Sequence, residues 1–350
     1  MNEIMFFAGF LVLISIFLAL DLGVFNKKSH IISVKESLIF TLVWVCLALA
    51  FFLFIRYFGD LIHNIKTPDD LTAINLRHKH GLVFDLNADF ATALQQYRNQ
   101  LSLEFITGYT MEYALSIDNI FVILMIFLSF GVDRKYYHRV LFWGIIGAIV
   151  MRFLFIFILS ALIHEFEWVL AIFGIILIVS AVKMYMSRNE KEQIHVQDHK
   201  IVKFVSKHFA VTPDYAGQKF VTSIGGKRYI TPLLLVLLII EFSDVIFAVD
   251  SVPAIFSITQ DSYIVFFSNI FAIIGLRSLF FLLSSIVNLF RFLKTGLSVL
   301  LAFVGIKMLL EITLHIPIGT QASLCVILST LIICILLSVA IPAKKMQPDE

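Results

Sequence analysis

Charge is scarce in this chain. Only 15% of its 350 residues are Asp, Glu, Lys or Arg, against roughly 25% in soluble domains. Cysteine is scarcer still. Cys46, Cys325 and Cys334 all lie within apolar runs, none close enough to another to form a C-x-x-C thiol pair, and the odd count argues against a disulfide framework. The 27 basic and 25 acidic residues leave a net charge of only +2. That balance excludes the strongly basic face of a nucleic-acid binder. H-E-x-x-H, a nucleophile–base motif, and haem or flavin signatures are also missing. The sequence therefore predicts neither an enzyme nor an organic cofactor.

What the chain does have is apolar surface. Hydrophobic residues make up 59%, Phe alone contributes 36, and the mean hydropathy is +0.93. A soluble fold could not cover this, so the composition predicts an all-α polytopic membrane protein embedded in a lipid bilayer. Nine runs can cross a hydrocarbon core of about 30 Å: 4–25, 37–58, 104–130, 140–163, 167–187, 232–258, 263–287, 295–314 and 320–341. The first has an acidic flank, Glu3, and no A-x-A cleavage site, so it reads as a transmembrane helix rather than a signal peptide. The Phe residues read mostly as lipid-facing filler.

Lys and Arg placement sets the expected orientation. With the N-terminus outside, 18 of the 27 basic residues fall on the inner side and 5 on the outer side, four in one long outer loop and Arg56 at the end of the run before it. The expected topology is thus N-terminus outside and C-terminus cytoplasmic. Six segments follow: two N-terminal helices (1–58), an outer loop (59–103), a three-helix unit (104–187), a cytoplasmic loop (188–231), a second three-helix unit (232–314), and a last helix with a cytoplasmic tail (315–350). The cytoplasmic loop mixes charge with Phe204, Phe209 and Tyr215, which predicts a short folded segment.

The two three-helix units share a pattern. Leu115-Ser-Ile-Asp118-Asn matches Phe247-Ala-Val-Asp250-Ser, each unit then has small residues before an Arg (Arg152, Arg277), and each ends on Lys-Met (Lys183, Lys307). The Arg-to-Lys separations are 31 and 30 residues. Helices 3–5 and 6–8 thus read as two repeats. Because they enter from opposite sides they are inverted, as in many secondary transporters, which bind substrate where the repeats meet.

Each ionisable residue in a span costs roughly 2.5–3.5 kcal/mol on insertion scales. This chain accepts the acids Asp21, Glu112, Asp118, Glu241, Asp244 and Asp250, with the bases Arg152, Arg277, Lys183 and Lys307. Arg152 and Arg277 read as partners for acids. The acidic surplus calls for a cation. Around the acids stand Ser116, Asn119, Ser243, Ser251 and Asn269, all oxygen donors, a set suited to Mg²⁺, Ca²⁺ or Mn²⁺ rather than Zn²⁺ or Cu²⁺. Glu241 and Asp244 share a helix face, whereas Asp250 falls on the opposite side of an ideal helix. Pro253 cannot donate to the carbonyl of Val249, and a helix break there would swing Asp250 towards the other acids. His164 and His315 read as interfacial, and His78-Lys79-His80 as a solvated loop.

Several stretches resemble the TerC family of integral membrane proteins, including its Alx branch. They are Ala19-Leu-Asp21-Leu-Gly-Val-Phe25, Glu104-Phe-Ile-Thr-Gly-Tyr109, Leu115-Ser-Ile-Asp118-Asn-Ile-Phe121, Thr231-Pro-Leu, Ser268-Asn269-Ile and, most specific, Glu241-Phe-Ser-Asp244-Val-Ile-Phe-Ala-Val-Asp250-Ser-Val-Pro253-Ala-Ile-Phe256. Tyr113 departs from the family, where Lys is common after the Glu. The resemblance implies Mn²⁺ efflux, with metal homeostasis, tellurium resistance and alkaline-pH response as the associated biology. Glu112, Asp118, Asn119, Glu241, Asp244 and Asp250 would hold the metal, Mn²⁺ first and Ca²⁺ second, with protons as the counter-ion. The competing expectation is a membrane factor that transports nothing and acts in metal delivery or in the tellurite, redox or alkaline stress response.

Overall fold

A computed structural model describes residues 3–25, 33–80, 82, 89–166, 168–187, 207, 209–224, 226–286, 292–316 and 318–340. Its long helices are α1 (Glu3–Phe25), α2 (Val34–Phe58), α5 (Phe90–Ser129), α6 (Arg134–Glu165), α7 (Trp168–Met186), α8 (Pro232–Phe256), α9 (Ser262–Ile286), α10 (Leu293–Leu314) and α11 (Thr320–Ala340). Two short helices, α3 (Asp60–His63) and α4 (Pro68–Arg77), follow α2. Eight of the long helices are long and apolar enough to cross a membrane, and α1 is apolar over Glu3–Ala19. The protein is an all-α polytopic membrane protein.

Local chemistry starts several helices. Ser33 caps α2: its Oγ accepts from Glu36 N at 3.2 Å, and Glu36 Oε2 accepts from Ser33 N at 2.8 Å, a reciprocal capping box. Thr67 and Asp70 form the same device at α4, with Pro68 in its first turn, where a missing N–H costs nothing. The longest helix departs from the sequence expectation. α5 has 40 residues, about 60 Å at 1.5 Å per residue, and so begins well inside the predicted outer loop. The rest of that loop is partly helical through α3 and α4.

Helix α9 lies at the centre, buried along nearly its whole length and packed on α2, α5 and α6. Its phenylalanines account for this. Phe266, Phe267 and Phe271 are buried, and they meet Phe7 and Phe10 of α1 and Phe51 of α2, with Phe10 and Phe267 centroids 4.3 Å apart. These Phe residues are an internal aromatic layer, not lipid-facing filler. Helices α7 and α10 cross where Gly174 meets Gly305. A Cβ on Gly305 would lie 2.7 Å from Gly174 O, so the glycines permit a close backbone approach.

The folded segment predicted within loop 188–231 contains a hairpin. Strands β1 (Val221–Ile224) and β2 (Lys227–Ile230) pair antiparallel, Val221 opposite Ile230, with Gly226 at φ +80° in the turn. Tyr215 OH donates to Phe130 O at 2.6 Å and ties the segment to the α5–α6 turn. Phe204 lies outside the described residues.

Candidate cation site and a buried histidine cluster

The predicted acids do not form one cluster. Arg152 on α6 organises the largest group. It is fully buried and donates to Glu112 Oε1 on α5, to Asn269 Oδ1 on α9 at 2.6 Å, and to Asp244 Oδ1 on α8 at 3.4 Å. Ser116 Oγ donates to Glu112 Oε1 at 3.4 Å. Four helices thus meet at one guanidinium. Among the described residues, Glu112 Oε2, Asp244 Oδ2 and Ser251 Oγ are buried without a hydrogen-bond partner. Two carboxylates against one guanidinium leave one negative charge over, in a setting where an unbalanced charge is costly.

Asn119, Asp244 and Arg277 line a small cavity of about 40 Å³ beside this group. Glu241 sits one turn before Asp244, its carboxylate against the open face of Gly147 on α6, where a Cβ would overlap it. The absence of a side chain at Gly147 is what admits that carboxylate between α6 and α8.

Asp250 lies apart. Its Oδ1 accepts from Ser180 Oγ on α7 at 3.0 Å. The helix break expected at Pro253 is not present: α8 runs unbroken to Phe256, with Pro253 buried in its last turn. The reason is positional. A proline this close to the helix end removes one terminal hydrogen bond, and Ser257 N caps the turn by donating to Pro253 O at 3.0 Å. Asp118 is half-buried on α5. Asp21 lies on α1, and its side chain is outside the described residues.

A second polar cluster sits at the end of the bundle that carries α3 and α4. His63 Nε2 lies 2.7 Å from Asp261 Oδ2, and His63 Nδ1 lies 3.5 Å from Glu3 Oε1. The His63 and His78 rings have centroids 4.9 Å apart, and His78 and His80 5.9 Å. His80 Nδ1 is 3.0 Å from both oxygens of Glu104, which also accepts from Thr259 Oγ1 at 2.7 Å and Gln100 Nε2 at 2.9 Å. His63, His78, His80, Glu104 and Asp261 are all buried. The expectation of a solvated His78-Lys79-His80 loop is therefore overturned: the chain folds back so that both imidazoles pack under it.

Burial opposes a charge on His63, but Asp261, by charge and hydrogen bond, together with Glu3, pushes its pKa up to about 9. Burial likewise opposes ionisation of Asp261, yet His63 and His78 hold its carboxyl well below the usual carboxylate range. Burial pushes His78 down, whereas Glu104 outweighs burial and raises His80. The spans hid this cluster from a reading along the sequence, because Asp261 read only as a connector. A His-x-His beside a lone Asp in a five-residue turn between apolar runs is the signal that could have revealed it.

Several comparisons place the chain among known proteins. The sequence profile described as "Integral membrane protein TerC family" matches residues 97–346. A Photorhabdus laumondii protein named "Putative membrane-bound redox modulator Alx" is 38% identical over 343 residues, 98% of this chain and 97% of its own length. The protein of the same name from Escherichia coli K12 is 38% identical over 319 residues, 89% of this chain and 88% of its own. An "Uncharacterized membrane protein STKORF319" from Myxococcus xanthus is 39% identical over 301 residues, 86% of this chain and 82% of its own. No solved structure matches. With a profile match over most of its length and near full-length relatives, this chain belongs to the TerC family of integral membrane proteins.

Proposed function

We propose that this protein is a divalent-cation transporter of a bacterial inner membrane, exporting Mn²⁺ through the buried group of Glu112, Arg152, Asp244 and Asn269. The observation that carries the reading is the pair of carboxylates, each with a buried oxygen lacking a partner, held together by one guanidinium. In this reading Arg152 is a tethered cation. It offsets part of the charge of Glu112 and Asp244 between transport events and yields them to an incoming divalent ion. Oxygen donors from Glu112, Asp244, Asn269 and Ser251 suit Mn²⁺, with Ca²⁺ next. Mg²⁺ sheds its water reluctantly and fits a dry site least well. Asp118, Asn119, Glu241 and Asp250 would serve the ion's path on either side.

The same reading takes the three-helix units 104–187 and 232–314 as inverted repeats, with the N-terminus outside, the C-terminus cytoplasmic and protons as counter-ion. It assigns no catalytic residue and no organic cofactor. A second reading follows from the relatives named as redox modulators: a membrane factor that modulates redox, metal delivery or tellurite and alkaline stress without carrying an ion. Cys46, Cys325 and Cys334 are free and none stands at C-x-x-C spacing from another, which gives that reading no thiol-pair motif to work with. Ion flux into proteoliposomes, comparing Mn²⁺, Ca²⁺, Mg²⁺ and Zn²⁺, separates the two. Saturable Mn²⁺ flux supports transport, and none for any ion supports the second reading.

A further inference from the structure

We propose that His63, His78 and Asp261 form a binding site for a divalent transition cation of the Zn²⁺ class, separate from the carboxylate group in the spans. One donor atom from each residue lies within 4.8 Å of the other two. The centre of the widest such triangle is about 2.8 Å from each corner, and modest side-chain rotation closes that to the roughly 2.0–2.2 Å of Zn–N and Zn–O bonds. All three side chains are buried, and they come from three separate segments: α3, the turn after α4, and the α8–α9 turn.

Two of the donors are joined by a hydrogen bond, His63 Nε2 to Asp261 Oδ2 at 2.7 Å, and the metal would take the place of the proton between them, which ligation releases. Asp261 uses Oδ1 to cap α9, accepting from Tyr263 N at 2.9 Å and Ile264 N at 3.4 Å. That leaves Oδ2 pointed at His63. His78 Nδ1 is buried without a hydrogen-bond partner among the described residues, an unmet lone pair or proton that ligation would satisfy. Glu3, 3.5 Å from His63, can supply a fourth ligand or hold the His63 ring in place, as carboxylates commonly do for ligating histidines. Two imidazoles and a carboxylate select Zn²⁺, Co²⁺ or Ni²⁺ over Mn²⁺, whose affinity for nitrogen sites is lowest in the divalent series. This chemistry is the reverse of the all-oxygen set around Arg152. A cavity of about 490 Å³ lies nearby, lined in part by Lys79 and Gln260, the sequence neighbours of His78 and Asp261. Binding would pin α3, the loop after α4 and the start of α9 together.

The test uses the purified full-length protein, stripped with a chelator and titrated with Zn²⁺ or Co²⁺ alone. We expect one tight site, a rise in melting temperature on Zn²⁺ addition, and visible absorption of low-symmetry four-coordinate Co²⁺. His78→Gln and His63→Gln should each weaken it tenfold or more, whereas Asp244→Asn should retain it. X-ray absorption of the Co²⁺-loaded wild type needs no variant to fold. It should show scattering from two imidazoles. An all-oxygen shell, an unchanged affinity in His78→Gln, or no tight site at all would overturn the proposal. Because none of these readouts is transport, the proposal can fail without the Mn²⁺ reading failing, and the reverse.

Discussion

Asn269 on α9 accepts a 2.6 Å hydrogen bond from Arg152 on α6, 117 residues earlier in the chain. That bond joins the most buried helix of the bundle to a guanidinium already shared by Glu112 and Asp244. Three acceptors on three helices hold one cation, so the consequences of removing it are specific.

Arg152→Gln leaves Glu112 and Asp244 buried without a counter-charge. Breaking such a group by removing one partner costs about 3–5 kcal/mol. The variant should therefore melt well below wild type in detergent. If Arg152 stands in for a divalent ion, millimolar Mn²⁺ should restore much of the lost melting temperature. Loss of stability with no Mn²⁺ rescue would make Arg152 a structural tie alone.

Two glycines should respond differently to the same methyl group. At Gly305 the new Cβ meets the backbone oxygen of Gly174 at 2.7 Å, which cannot move without separating α7 from α10. Gly305→Ala should cost roughly 1–3 kcal/mol, as overpacking does. At Gly147 the obstacle is the tip of the Glu241 side chain, which can rotate away. Gly147→Ala should melt within a few degrees of wild type, yet change ion flux because Glu241 has moved. Equal thermal penalties for the two would contradict the packing described.

Pro253→Ala should have little effect on the Arg152 group. Asp250 bonds to Ser180 on α7, and α8 is continuous past it, so restoring one hydrogen bond in the last turn should not re-aim the residue. Mn²⁺ affinity measured by isothermal titration should stay within about threefold of wild type, a difference of under 1 kcal/mol. A tenfold loss would restore the idea of a helix break that builds the site.

The spans were legible in the sequence because each is a long apolar run, and in a bilayer such runs must be helices. Arg152 was legible as an ion-pair partner for the same reason: a charge in a span stands out. What each charge touches was not legible. Glu241 and Asp244 share a face by spacing, but only Gly147 on another helix decides where Glu241 lies. His63 and Asp261 are 198 residues apart, and no periodicity connects them. The central aromatic layer was missed because Phe reads alike towards lipid and towards another Phe.

Topology has a direct check. Leu76, on α4, is 79% exposed, and Lys227 is exposed on the hairpin at the other end. In a background with Cys46, Cys325 and Cys334 replaced, an impermeant thiol reagent on intact cells should label Leu76→Cys and spare Lys227→Cys. The opposite pattern would reverse the orientation.

The central claim is that the Glu112–Arg152–Asp244 group carries a cation, and Mn²⁺ flux into proteoliposomes tests it most directly. Wild type should give saturable Mn²⁺ flux, greater than for Ca²⁺ and far greater than for Mg²⁺. Asp244→Asn, folded and reconstituted equally well, should lose it by tenfold or more. Undiminished flux in Asp244→Asn, or no flux in wild type above protein-free vesicles, would contradict the account.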